Sequence, residues 1–136
     1  MTFCGDDTDP KILTVLIAED DPFVRQALGF TLQACGFTVM EAESGDHAWP
    51  ILEIGVVDVL VTDISMPGAL NGWSLAERAL AIQPDIAVVY ISSGPENFAR
   101  RIDRSLFLRQ PFHPDAIVSA VRKVASQRAG ESPVES

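Results

Sequence analysis

Five short apolar runs alternate with longer segments in which apolar residues recur at helical spacing. The runs are Ile12 to Ala18, Phe37 to Met40, Val56 to Val61, Ile86 to Ile91 and Leu106 to Leu108. The first, third and fourth are almost continuously apolar, the pattern of strands covered on both faces rather than one. Between them, Asp21 is a good N-cap with Pro22 at the first helical position. Val24, Leu28, Thr31 and Cys35 then line one face, and Gly36 is a stop signal. A third helix is predicted from about Ser74 to Ile82, with Leu75, Ala79 and Ile82 inward and Pro84 beyond it. A fourth is predicted from Pro95 to about Arg104. The last begins near Pro114 and places Ile117, Ala120, Val121 and Val124 on one stripe. The second helix is less regular. Ser44 and Gly45 resemble its start, but Pro50 falls a turn further on, where its ring and missing N–H disturb the helix. Either a kink at Pro50 or a helix that starts only near Pro50 is expected.

Strand and helix in five-fold alternation predict an α/β fold: a doubly wound, five-stranded parallel sheet with helices on both faces. The functional crevice is then expected at the loops following the strand C-termini. The 136 residues suit one domain, expected over residues 11–128, with flexible polar tails at 1–10 and 129–136. A formal net charge of −9 argues against broad nucleic-acid binding. No apolar run reaches the roughly 18 residues a membrane helix needs, and Met1 to Pro10 lacks the apolar stretch of a signal peptide. Cys4 and Cys35 lie far apart in the sequence and in no metal-like spacing, so reduced thiols and a cytoplasmic location are expected. Trp73, at the start of the third helix, is expected to be partly exposed; neither it nor Trp49 is assigned a function.

The candidate chemistry sits where strands end. Glu19 and Asp20 follow the first strand, and Asp63 ends the third. If these strands are neighbours, the carboxylates converge and repel one another. An oxygen-only cluster of this kind suits Mg²⁺. The plainer alternative is a charged loop whose acids serve only as turn and cap residues. The order of motifs is more specific than any one of them: Val15-Leu-Ile-Ala-Glu-Asp-Asp21, then Asp63-Ile-Ser-Met-Pro-Gly68 with Asn71-Gly72, then Ile91-Ser-Ser-Gly94, then Gln110-Pro-Phe112.

From Ile12 to Ala125 this chain resembles the receiver domain of two-component response regulators, a flavodoxin-like (βα)5 fold. The resemblance implies a signalling switch rather than a turnover enzyme. Asp63 would be the phosphoacceptor, served by the phosphohistidine of a histidine kinase or phosphotransfer protein. Mg²⁺ would be held by Asp20 directly, by Glu19 through water, by Asp63, and by the backbone carbonyl of Ser65. Ser92 would be the switch hydroxyl, with an ordinary strand-end serine as the alternative and Ser93 on the other face. Phe107 would be the switch aromatic, with a plain core aromatic as the alternative. The Gln110–Pro111 bond resembles one that is usually cis in the family.

The main departure is Gln110, where the family has a lysine. Lys11 and Lys123 are badly placed to replace it, and Arg109 should point to the opposite face. A neutral amide predicts slower phosphorylation or weaker coupling to the switch. Arg100, Arg101 and Arg104 are either a solvated face or, with the fifth strand and fifth helix, a homodimer or target surface. Three other readings compete: a pseudo-receiver that signals by protein contacts without phosphorylation, an aspartyl phosphatase, and a flavin-binding protein. The phosphatase would need an acid where Ser65 stands. The flavin protein would need a phosphate-cradling loop where Glu19 to Asp21 stand.

Overall fold

The computed structural model describes residues 12–94 and 98–127. Five strands, β1 (Thr14–Ala18), β2 (Thr38–Ala42), β3 (Val59–Asp63), β4 (Ala87–Ser92) and β5 (Ser105–Arg109), form one parallel sheet in the order β2-β1-β3-β4-β5. Among the described residues four α-helices complete it: α1 (Pro22–Ala34), α2 (Gly45–Ile54), α3 (Gly72–Ile82) and α4 (Asp115–Ser126). This is the doubly wound five-stranded fold the alternation predicts. The expected tails at 1–10 and 129–136 lie outside the described residues. Among the described residues no helix is long and apolar enough to cross a membrane.

Strand alternation divides the interior into two layers. Val15, Ile17, Val59, Val61, Val89 and Ile91 face α1 and α4, where Leu28, Leu32, Ile117, Val121 and Val124 cover them. Leu16, Ala18, Leu60, Val88 and Tyr90 face the other way, against α2 and α3. α1 starts where Asp21 accepts hydrogen bonds from the N–H groups of Phe23 (2.9 Å) and Val24 (3.4 Å), satisfying donors that the helix itself cannot. The predicted stripe of the last helix is fully borne out by the burial of Ile117, Ala120, Val121 and Val124.

Five expectations need correction. The helix predicted from Pro95 to Arg104 does not form over its described part, which holds a single 3-10 turn at Phe98–Arg100 and then irregular chain. Tertiary bonds take that stretch instead. Arg100 pairs with Glu77 (2.8 Å), Arg101 donates to Ser105 O (2.6 Å), and Arg104 donates to Ala125 O (3.2 Å) and to Asp85 O. α2 begins at Gly45, not near Pro50, because Ser44 caps it through His47 N at 3.1 Å and the proline ring lies on the exposed side. Ile82 is 45 % exposed, since α3 buries Leu75, Ala76 and Ala79 and ends at Ile82. Trp73 is only 7 % exposed, held against Tyr90. Finally, Cys35 is disulfide-bonded, against the reduced thiols expected; distance along a sequence sets no distance in the fold.

Candidate functional site

β1 and β3 pair in parallel with Ala18 opposite Thr62, so the residues that follow them emerge side by side. Carboxylate oxygens of Glu19, Asp20 and Asp63 all lie within 4.8 Å of one another. Glu19 is 2 % exposed. One of its oxygens accepts from Asp21 N at 3.0 Å, and the other, Oε1, is buried with no hydrogen-bond partner. Such an orphan is costly unless something else coordinates it.

Burial pushes the Asp63 carboxyl up to about 9, helped by the neighbouring carboxyls of Glu19 and then Asp20. Burial also raises Glu19, although Asp63 and Asp21 N partly offset this. Three acids this close cannot all stay charged on their own account. The donor set is all carboxylate oxygen and crowded, and Glu19 Oε1 is left without a hydrogen-bond partner. These residues fit a hard divalent cation such as Mg²⁺.

Glycine at position 72 allows the third strand and the third helix to meet. A Cβ there would lie 2.1 Å from Asp63 O and 2.8 Å from Ile64 Cα. Instead Gly72 N donates to Ile64 O at 2.8 Å, and Asn71 caps α3 through Ser74 N at 2.9 Å. The first turn of α3 therefore rests directly on the backbone of Asp63.

Beside Asp63 is a cavity of about 80 Å³ whose lining includes Ser65, Ser92, Ser93 and Gln110. Ser92 is buried and Ser93 exposed. The Ser92 hydroxyl donates to Gly94 O (2.7 Å) and accepts from Gly94 N (3.2 Å), closing the loop after β4 on itself. Gln110 reaches this cavity from the far end of β5, and its backbone N donates to Ser92 O at 2.8 Å. The Gln110–Pro111 bond is cis. Arg109 is exposed and Lys123 sits exposed on α4, while Lys11 lies outside the described residues.

Phe107 is not beside this cavity. It stacks on Tyr90 with ring centres 5.0 Å apart, and Tyr90 in turn lies 4.8 Å from Trp73. The Tyr90 hydroxyl accepts a bond from Ile102 N at 3.2 Å, and burial pushes its phenol up to about 12. Sequence reasoning missed Tyr90 and Arg25, and it marked Gly72 only as closing the loop after Asn71. Tyr90 reads as one more apolar residue of a strand, and the close approach at Gly72 is signalled only by its place after the Asn71 cap.

Residues 15–122 match the family described as response regulator receiver domain. The chain belongs to the response regulator receiver family. The receiver is 32% identical over 116 residues to the response regulator receiver protein CpdR of Brucella abortus, covering 81% of this chain and 94% of CpdR. It is 34% identical over 121 residues to the sensor kinase CckA of the same species, covering 85% of this chain but only 13% of CckA. Among solved structures, a response regulator receiver protein from Sinorhizobium medicae superposes with a TM-score of 0.80 at 29% identity, over 86% of this chain and 97% of that one. The receiver is thus a module of two-component signalling, a switch family rather than a family of turnover enzymes.

Proposed function

We propose that this receiver accepts a phosphoryl group on Asp63 from the phosphohistidine of a histidine kinase or phosphotransfer protein, and thereby switches a protein-interaction surface. The observation that carries the reading is the convergence of Glu19, Asp20 and Asp63 within 4.8 Å, beside a cavity of phosphoryl size. In the transfer, a new P–O bond forms to the Asp63 carboxylate as the donor's P–N bond breaks, and the imidazole leaves with the electron pair. Bound Mg²⁺ would favour the ionised form of Asp63 over the neutral form that burial favours in its absence, and an ionised carboxylate needs no general base to act as a nucleophile. Bound Mg²⁺ would neutralise the crowded carboxylates and the charge on the transferring oxygens. Asp20 and Asp63 would hold it directly, Glu19 through water, and Ser65 through its backbone carbonyl.

Ser92 would exchange its bonds to Gly94 for one to a phosphoryl oxygen, drawing the loop after β4 inward. Phe107 would answer that movement through Tyr90. The responding surface would run along the segment before β5, β5 itself and α4, where a target or a second copy could bind. Its arginines are engaged with Glu77, Ser105, Asp85 and Ala125, so binding through them would first release bonds within the chain. A cytoplasmic setting accompanies the reading; the Cys35 disulfide is the feature that pulls the other way.

Gln110 favours one second reading, a pseudo-receiver signalling by contact alone. An amide offers a neutral hydrogen bond where a lysine would offer a charged one of about twice the strength. One experiment separates the two. The protein is incubated with Mg²⁺ and acetyl phosphate and examined by mass spectrometry for an acid-stable, base-labile adduct of one phosphoryl group. The adduct should vanish in Asp63→Asn and form faster in Gln110→Lys. A folded protein that gains no adduct is a pseudo-receiver.

A further inference from the structure

We propose that Arg25 is a positioning residue for the Mg²⁺ site, bracing the loop that carries Glu19 and Asp20, and that Glu41 and Gly29 exist in their places to seat it. The inference rests on the metal-dependent reading above. Arg25 stands one turn into α1, its side chain only 16% exposed. Its Nη1 donates to the backbone carbonyl of Glu19 at 2.8 Å. Its Nε lies 3.5 Å from Glu41 Oε1, on the edge strand β2. The guanidinium therefore ties three elements together at the point where β1 gives way to the acidic loop.

That loop has few other restraints. Glu19 N donates to Ala42 O at 3.0 Å, and Asp21 N donates to Glu19 Oε2 at 3.0 Å. Asp20 lies between these anchors with its side chain exposed. Its position follows from how firmly the Glu19 and Asp21 backbones are held. A carbonyl bonded to a partly buried, charged donor is held more strongly than one bonded to water or to a neutral group. Arginine suits the task because its planar fork can serve a carbonyl and a carboxylate together.

Gly29 is the independent sign. It lies four residues beyond Arg25 on the same helix face, buried in the middle of α1, where glycine is less favourable than alanine. A Cβ there would come within 2.4 Å of Glu41 Oε2 and 3.7 Å of Val39 Cγ1. The missing side chain leaves room for the Glu41 carboxylate to lie down against α1 and reach Arg25. An alanine would fit only by displacing that carboxylate, which ends a flexible side chain.

The test uses the whole protein and three readouts: Mg²⁺ affinity by isothermal titration calorimetry, hydrogen exchange of the amides of residues 19–21 without metal, and thermal midpoint. Arg25→Ala should weaken Mg²⁺ binding about three- to tenfold, less than the full contribution of a charge-assisted bond because the arginine acts on the metal only through the loop, and speed exchange at residues 19–21. Glu41→Gln should do the same to a smaller degree. Gly29→Ala should weaken binding and speed loop exchange while leaving the midpoint unchanged or higher, because it improves α1. A merely structural role would move midpoint and binding together. Unchanged loop exchange in both Arg25→Ala and Gly29→Ala overturns the proposal. If the wild type takes up no Mg²⁺, the functional reading fails, yet loop exchange still decides whether Arg25 braces the loop.

Discussion

The two faces of the sheet are covered by different means. On one, α1 and α4 are regular helices whose aliphatic stripes lie over Val15, Ile17, Val59, Val61, Val89 and Ile91. On the other, α2 carries Pro50 in its interior, and no helix forms in the described chain between β4 and β5. There Trp73, Tyr90 and Phe107 cluster over the sheet, and three arginines fasten the strap before β5. Helices seal a face with area that is replaceable piece by piece. Aromatic rings and single polar bonds seal it with few parts, each tied to a specific partner. The second face should therefore loosen locally when one part is lost, whereas the first should fail as a unit.

Substitutions on each face can break this contrast. Ile117→Ala empties fully buried space under α4 and should cost about 2–5 kcal/mol, with urea unfolding remaining a single transition. Tyr90→Phe strands the N–H of Ile102 and should cost about 1–2 kcal/mol. Its distinguishing sign is faster hydrogen exchange over residues 98–104 with α4 amides unaffected. Equal acceleration in both places would mean the faces are not independent. Pro50→Ala restores a backbone donor in α2 and should stabilise by about 1 kcal/mol, read as a higher thermal midpoint. Arg100→Ala removes an exposed pair with Glu77 and should leave the midpoint within error, since such pairs contribute little. A clear drop would show that the strap depends on that pair.

The same contrast decides what could be read from sequence. β1, β3 and β4 announce themselves as apolar runs, and Ile117, Ala120, Val121 and Val124 as a stripe, because both signals are local periodicities. Glu19, Asp20 and Asp63 were legible because their motifs fall at strand ends in a recognisable order, and the pairing of β1 with β3 then brings those ends together. The segment before β5 was misread. Pro95 and spaced arginines look like a helix, but Arg104 reaches Asp85 and Ala125, partners that no local pattern reveals. Arg25 was missed for the same reason: Glu41 stands on another strand, and its link to Gly29 exists only in three dimensions.

The contact between Gly72 and the Asp63 backbone sets a natural fluorophore, Trp73, beside that part of the main chain. Trp73 sits one peptide from that contact and 4.8 Å from a tyrosine ring, so its emission should respond to changes around Asp63. Trp49, beneath the Arg78 guanidinium at 4.4 Å, supplies a second light source outside that contact. The molecule thus carries its own optical probe of the acidic end of the sheet, with no dye or label attached.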